Sequence, residues 1–139
     1  MKLDPSCVRD LLLAMEESET INENGMLQDF SLKILFEDKR LAKYDRAQLL
    51  YTFRMLIDAG FISCHAQYTK DLFVPFFASS DGLTYQGHQY IANIRDDNVW
   101  KKMLQKLAHI GGTASLAVIS SVCEGIAKGI LDKASSPSQ

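Results

Sequence analysis

Apolar positions first repeat at helical spacing. Val8, Leu11, Leu12 and Met15 fall on one face, and Asp4-Pro5 ahead of them is a cap acceptor followed by proline at the first helical position. The spacing predicts a helix to about Ser18. Glu16, Glu17 and Glu19 stand at its C-terminal end, where the helix dipole disfavours carboxylates, so residues 21–25 read as a loop. Phe30, Leu32, Ile34 and Phe36 then alternate with Ser31, Lys33, Leu35 and Glu37. That is mostly period two and predicts a strand, with a helix through residues 27–36 as the alternative because Leu35 breaks the alternation.

Residues 37–44 are charged, with Leu41 and Tyr44 as anchors for one or two helical turns. Asp45 caps a second clear helix through Ala59, stopped by Gly60, with a core stripe of Leu49, Leu50, Phe53, Leu56 and Ile57. Residues 61–67 read as a strand, residues 69–71 as a turn and residues 72–78 as a second strand, which Pro75 places at an edge. Thr84 then caps a helix carrying Ile91 and Ile94. Asp97 caps a further one carrying Trp100, Met103, Leu104 and Leu107, with Trp100 in the core, and Gly111-Gly112 ends it. Thr113 or Ser115 starts a last helix with Leu116, Ile119, Cys123, Ile126, Ala127 and Ile130 on one side. Residues 134–139 are rich in Ser and Pro and read as a disordered tail.

This order predicts an α+β fold: a winged helix-turn-helix-type domain over residues 3–95, a C-terminal extension of two additional helices over residues 96–133, then the tail. A length of 139 residues suits one domain with a core. The formal net charge of −2 supplies no global field toward nucleic acid or membrane, but the charge is uneven. Residues 1–29 carry two basic and seven acidic side chains, and residues 30–103 carry ten basic and eight acidic. Cys7, Cys64 and Cys123 are odd in number and widely spaced, which argues for reduced thiols. With no signal-peptide pattern and no apolar run long enough to span a bilayer, the chain reads as cytoplasmic.

Several stretches carry a resemblance. Val8-Arg9-Asp10-Leu11-Leu12, Leu49-Leu50-Tyr51, Ala59-Gly60-Phe61-Ile62, Leu83-Thr84-Tyr85-Gln86-Gly87-His88 and above all Ile94-Arg95-Asp96-Asp97-Asn98-Val99-Trp100-Lys101-Lys102 resemble domain of unknown function 2513, a family of short bacterial and prophage-encoded proteins. The resemblance covers most of the chain and implies a winged-helix-like fold with no established activity. Many members have Tyr-His in the second helix where this chain has Tyr51-Thr52, so no role for that histidine carries over.

In a winged helix the second clear helix lies in the DNA major groove. Its outer face here is Ala47, Gln48, Tyr51, Arg54, Met55 and Asp58. Gln48 and Arg54 suit base edges, with Tyr51 beside them; Lys39, Arg40, Lys43 and Arg46 suit phosphates from the preceding turn, and Lys70 from the wing tip. These eight residues are the candidate nucleic-acid contacts. Arg95, Asp96 and Asp97 read as a cap and its ion-pair partner rather than as catalytic groups. Cys64, His65 and His88 have no spacing that would make three or four metal donors converge. No nucleophile–base pair and no phosphate-binding glycine loop is visible. The expectation is therefore a non-enzymatic binding module without cofactor. It would be a DNA-binding or regulatory protein of bacterial or phage origin, homodimeric through its last helix. The alternative is a protein-interaction module on the same fold, such as a phage factor binding a host protein.

Overall fold

The computed structural model describes residues 1–28, 32–67, 71 and 77–135. Among them are six α-helices, one 3-10 turn and two two-stranded antiparallel sheets, an α+β architecture. The chain divides into two compact units, Met1–Gln89 and Tyr90–Gln139.

The first unit opens with α1 (Pro5–Ser18), where the Asp4 carboxylate accepts from the Ser6 amide at 2.9 Å. Its buried face is Cys7, Val8, Leu11, Leu12, Ala14 and Met15, the face that the spacing predicts. After Glu19 the chain forms a hairpin of β1 (Thr20–Ile21) and β2 (Leu27–Gln28) rather than a plain loop. The reason is local: the Asn22 carboxamide accepts from the amides of Asn24 and Met26, and Gly25 takes φ +79° to close the turn.

The strand expected through residues 30–36 is corrected. Residues 32–37 form a short helix, α2 (Leu32–Glu37), and residues 29–31 lie outside the described residues. Leu35, the residue that spoils the alternation, is fully buried. A single 3-10 turn (Lys39–Leu41) follows, capped by Asp38, with Leu41 as its buried anchor. Then comes α3 (Arg46–Asp58), where Asp45 accepts from the Gln48 amide at 2.7 Å. Its core stripe is rotated from expectation. Leu49, Phe53 and Leu56 are buried, but the fourth buried position is Thr52, while Leu50 and Ile57 are half-buried. Thr52 tolerates this because its hydroxyl donates to the Gln48 carbonyl at 2.8 Å, and so needs no water.

Strands β3 (Ile62–Gln67) and β4 (Phe77–Leu83) pair antiparallel from Ile62↔Leu83 to Gln67↔Phe77. The second strand thus runs five residues past the predicted end at Ala78; residues 72–76 lie outside the described residues. Ser63 faces Gly82 and Cys64 faces Ser80, so Asp81 is an extra residue that bulges β4. At the base of this hairpin, Glu19 accepts from the Leu83 amide at 2.6 Å, fastening the end of α1 to the end of β4.

The hairpin is also buckled where α3 ends and α4 (Tyr85–Ile94) begins. Gly60 adopts φ +77° just past α3, and the Phe61 amide reaches back to the Leu56 carbonyl at 3.0 Å. Thr84 joins both sides. Its amide donates to Phe61 O at 3.0 Å, and its hydroxyl donates to Gly60 O at 2.5 Å while accepting from the Gly87 amide at 3.1 Å. Thr84 is therefore both the expected cap of α4 and the clasp that holds α4 to the end of α3.

The second unit contains the end of α4, then α5 (Asp97–Ala108) and α6 (Leu116–Ser135). Tyr90, Ile91, Ile94, Val99, Trp100, Met103, Leu107, Ile119 and Cys123 are buried, so Trp100 is a core residue as expected. The cap of α5 is corrected from Asp97 to Asp96. The Asp96 carboxylate accepts from the amides of Asn98 and Val99, both at 2.9 Å, and Asp97 is the first helical residue. Residue type alone leaves either aspartate open as the cap; the two amides that Asp96 holds decide between them. Asp96→Ala should lower thermal stability by about 1 kcal/mol. Asp97→Ala leaves that cap in place and removes a favourable first-turn charge, itself worth about 0.3–1 kcal/mol. Equal melting shifts for the two variants would overturn the reassignment.

Ser115 starts α6 by accepting from the Val118 amide at 3.2 Å, and Asn93 donates to the Ser120 hydroxyl at 2.8 Å. Of the predicted stripe on α6, Ile119 and Cys123 are buried, while Ile130 remains 39% exposed. The helix includes Ala134 and Ser135, and residues 136–139 of the predicted tail lie outside the described residues. Among the described residues no helix is long and apolar enough to cross a membrane.

Candidate nucleic-acid interface

The candidate residues belong to the first unit, on the segment from the 3-10 turn through α3. Lys70 lies outside the described residues. The structure gives the other seven quite different surroundings. Arg40 is bound by its own chain: its guanidinium meets the Glu17 carboxylate from α1 and stands 3.3 Å from Asp38. Lys43 places Nζ 3.1 Å from Asp10, also on α1, and 5.4 Å from the centre of the Tyr44 ring. Tyr44 donates its hydroxyl to the same Asp10 carboxylate at 2.7 Å. Burial, followed by that hydrogen bond to an anion, pushes the Tyr44 phenol well above its ordinary range.

Along α3, Arg54 runs its Nε to the two carboxylate oxygens of Asp58 at 3.1 and 3.3 Å, one helical turn on. Gln48 is half-buried and turns its side-chain amide toward the Lys2 carbonyl at 3.4 Å and the Thr52 hydroxyl at 3.5 Å. Tyr51 is half-buried. Arg46 is exposed and holds its guanidinium carbon over the Phe36 ring, 4.1 Å from its centre. Lys39 is exposed on the 3-10 turn. Arg46 and Lys39 are the candidate cations without a carboxylate partner among the described residues.

The electrostatic result is a surface of mixed sign. Residues 36–58 contain five cations and four carboxylates, and Asp10 and Glu17 come across from α1 to add two more. Exposed ion pairs of this kind are each worth about 0–1 kcal/mol, so a phosphate can displace them at small cost. What they reduce is the net field that would draw a polyanion in.

Several participants escape a reading of the sequence. Asp10 and Glu17 anchor Lys43 and Arg40 from 33 and 23 positions away, and the acidic N-terminal segment facing a mildly basic middle is the one sequence signal of that pairing. The partnership of Phe36 with Arg46 was hidden because it depends on residues 32–37 being helical. Cys7 is fully buried beside Thr52, with Sγ 3.4 Å from the threonine hydroxyl. Burial pushes its thiol up to about 11, the Thr52 hydrogen bond only partly opposing this, so at neutral pH it is a packing group rather than a nucleophile. His88 faces Glu16 and Glu19 at 3.8 and 4.0 Å, on the side of α1 that holds the hairpin base.

The residues that carry the sequence resemblance serve architecture. Gly60, Phe61, Thr84 and Gly87 make the buckle, and Asp96, Val99 and Trp100 start and bury α5. A family described as a hypothetical protein (DUF2513) matches residues 2–114. Neither the curated proteins nor the solved structures contain a significant match to the chain.

Proposed function

The chain belongs to the DUF2513 family of hypothetical proteins, and from that membership together with the geometry around α3 we propose a non-enzymatic binding module of winged-helix type that contacts duplex DNA. In this reading α1, α2 and α3 are the helical core, α3 lies in the major groove and the β3–β4 hairpin is the wing. The observation that carries it is the N-terminal end of α3. There Arg46 stands exposed and without a carboxylate partner among the described residues, as does Lys39 on the preceding 3-10 turn, and Gln48, Tyr51 and Arg54 follow along the helix as half-buried residues. A cation at that place suits a phosphate flanking the groove.

A second reading, a protein contact through the same face, is favoured by a specific observation: Arg40, Lys43 and Arg54 are already paired with carboxylates of the chain. The last helix belongs to the proposal as the route to a homodimer, since Val118, Ile130 and Leu131 are exposed along it.

Fluorescence anisotropy of mixed-sequence duplex DNA, at low and moderate salt, separates the two readings. Two to four phosphate contacts give a slope of about −2 to −4 in log K against log salt. Arg46→Ala should weaken binding, and Asp58→Asn, which removes a negative charge beside Arg54, should strengthen it. Absence of binding at low salt, or binding indifferent to salt, would overturn the DNA reading in favour of the protein contact. Light scattering on the same samples reports the mass, and a monomer at every concentration would remove the homodimer.

A further inference from the structure

We propose that Asn24, in the turn between β1 and β2, is a site of spontaneous covalent modification: it deamidates through its bond to Gly25, and Asn22 sets the rate. The turn is Asn22-Glu23-Asn24-Gly25-Met26, and all five residues are exposed. Gly25 has no side chain to shield its amide nitrogen, and a Cβ built there would meet nothing within 4 Å, so the Asn24–Gly25 bond is open to water. The Asn24 amide is held by Asn22, but the Asn24 carboxamide makes no hydrogen bond among the described residues and can turn onto the main chain. The other three asparagines are placed differently. Asn22 commits its carboxamide oxygen to the Asn24 and Met26 amides at 2.9 and 3.0 Å. Asn93 lies inside α4, precedes the branched Ile94 and donates its carboxamide to the Ser120 hydroxyl. Asn98 lies inside α5, and the amide that follows it, that of Val99, is held by Asp96 at 2.9 Å.

The reaction needs only hydroxide and water. Hydroxide takes the proton of the Gly25 amide, and the nitrogen then forms a bond to the side-chain carbonyl carbon of Asn24. The bond from that carbon to Nδ2 breaks, and Nδ2 takes a proton from water and leaves as ammonia. Water adds to one of the two carbonyl carbons of the resulting five-membered imide and opens it to an aspartyl or an isoaspartyl residue. Nothing is oxidised or reduced. The turn gates the first step. The Gly25 amide donates to the Asn22 carbonyl at 3.0 Å, and its nitrogen attacks only while that bond is open. The Asn22 side chain resists the opening through the two amides on either side of Gly25. An isoaspartyl residue adds one main-chain carbon inside a turn whose ends are tied by the Asn22 amide to the Met26 carbonyl at 2.9 Å, so the pairing of Ile21 with Leu27 has to shift.

The test is incubation of the full chain at neutral and at mildly alkaline pH, then digestion at acidic pH, where deamidation is slow, and mass spectrometry of the fragment carrying residue 24. Exchange of the amide NH2 for OH adds one mass unit. The gain is expected at Asn24 well ahead of Asn93 and Asn98, faster at the higher pH, and divided between two chromatographic forms, aspartyl and isoaspartyl. Asn24→Gln, whose imide would need a six-membered ring, should suppress it. Asn22→Ala should speed it about threefold or more, because two exposed amides lose their acceptor and the turn opens more often. Circular dichroism reports whether each variant is folded, and the comparison among the asparagines of the unchanged chain carries the test if Asn22→Ala is not. No gain at residue 24, an equally fast gain at Asn93 or Asn98, or a product that is aspartyl alone would overturn the site. A rate in folded Asn22→Ala no higher than in the unchanged chain would overturn the gating by Asn22.

Discussion

Gly87→Ala is expected to lower stability by about 2–3 kcal/mol, a fall in Tm of roughly 6–15 °C for a chain of this size. Helix propensity predicts the opposite sign, since alanine in place of glycine in a helix is favourable by about 1 kcal/mol. Packing decides the outcome. A Cβ at position 87 would fall far inside contact distance of the Phe61 carbonyl oxygen and 3.2 Å from its carbonyl carbon. That oxygen cannot swing aside cheaply, because it holds the Thr84 amide at 3.0 Å. The change therefore has to push α4 away from the end of α3 and strain the Thr84 clasp. Gly129→Ala on α6 is the control: a Cβ there meets nothing within 4 Å, and stability should rise by about 0.5–1 kcal/mol. Thermal unfolding followed by circular dichroism reads both variants, and a higher Tm for Gly87→Ala would refute the close approach.

Phe53→Ala should remove about 3–5 kcal/mol, a large part of the stability of any domain this size. Phe53 is 2% exposed and sits at the centre of the buried stripe on α3, so truncation leaves a cavity walled by helices that cannot close over it. Ile57→Ala, at a half-buried position, should cost no more than about 1.5 kcal/mol. Chemical denaturation with a shared m-value measures the difference. If Ile57→Ala proved as damaging as Phe53→Ala, the stripe would run as hydrophobicity alone places it, with Ile57 in the core in place of Thr52.

Both predictions concern the scaffold under the candidate interface, and they limit how that interface can be dissected. Arg46, Arg54 and Asp58 can be changed at the surface, whereas Gly87, Thr84 and Phe53 alter binding only by altering the fold. The family stretches around Gly60, Thr84, Gly87 and Asp96 fall in the second group, which is why the sequence resemblance identifies an architecture so much better than an activity.

The legible elements were those whose signals are local. Helices α1 and α3 each pair a cap acceptor, Asp4 or Asp45, with apolar residues at helical spacing, and Gly60 gives α3 a stop. Residues within a turn of one another carry all of that information, because capping and the helical period are short-range properties of the backbone. The eight candidate contacts could likewise be picked out by residue type and face, but their state of pairing could not.

Tertiary structure decided the remainder. α2 has six residues, too few to pay for its own nucleation, so tertiary burial, that of Leu35 among the described side chains, favours it over a strand. Asp96 rather than its equally acidic neighbour caps α5, a choice that residue type leaves open. Thr52 displaces Leu50 and Ile57 from the buried stripe because the core lies to that side of α3, where Cys7 waits 45 positions earlier in the chain. Glu17 reaches Arg40 across 23 positions, and Thr84 reaches Gly60 across 24. Such contacts depend on how distant segments meet. Hydrophobic period and capping chemistry state which residues turn inward or begin a helix; which carboxylate meets which cation, and which glycine must remain bare, are fixed only when the elements pack.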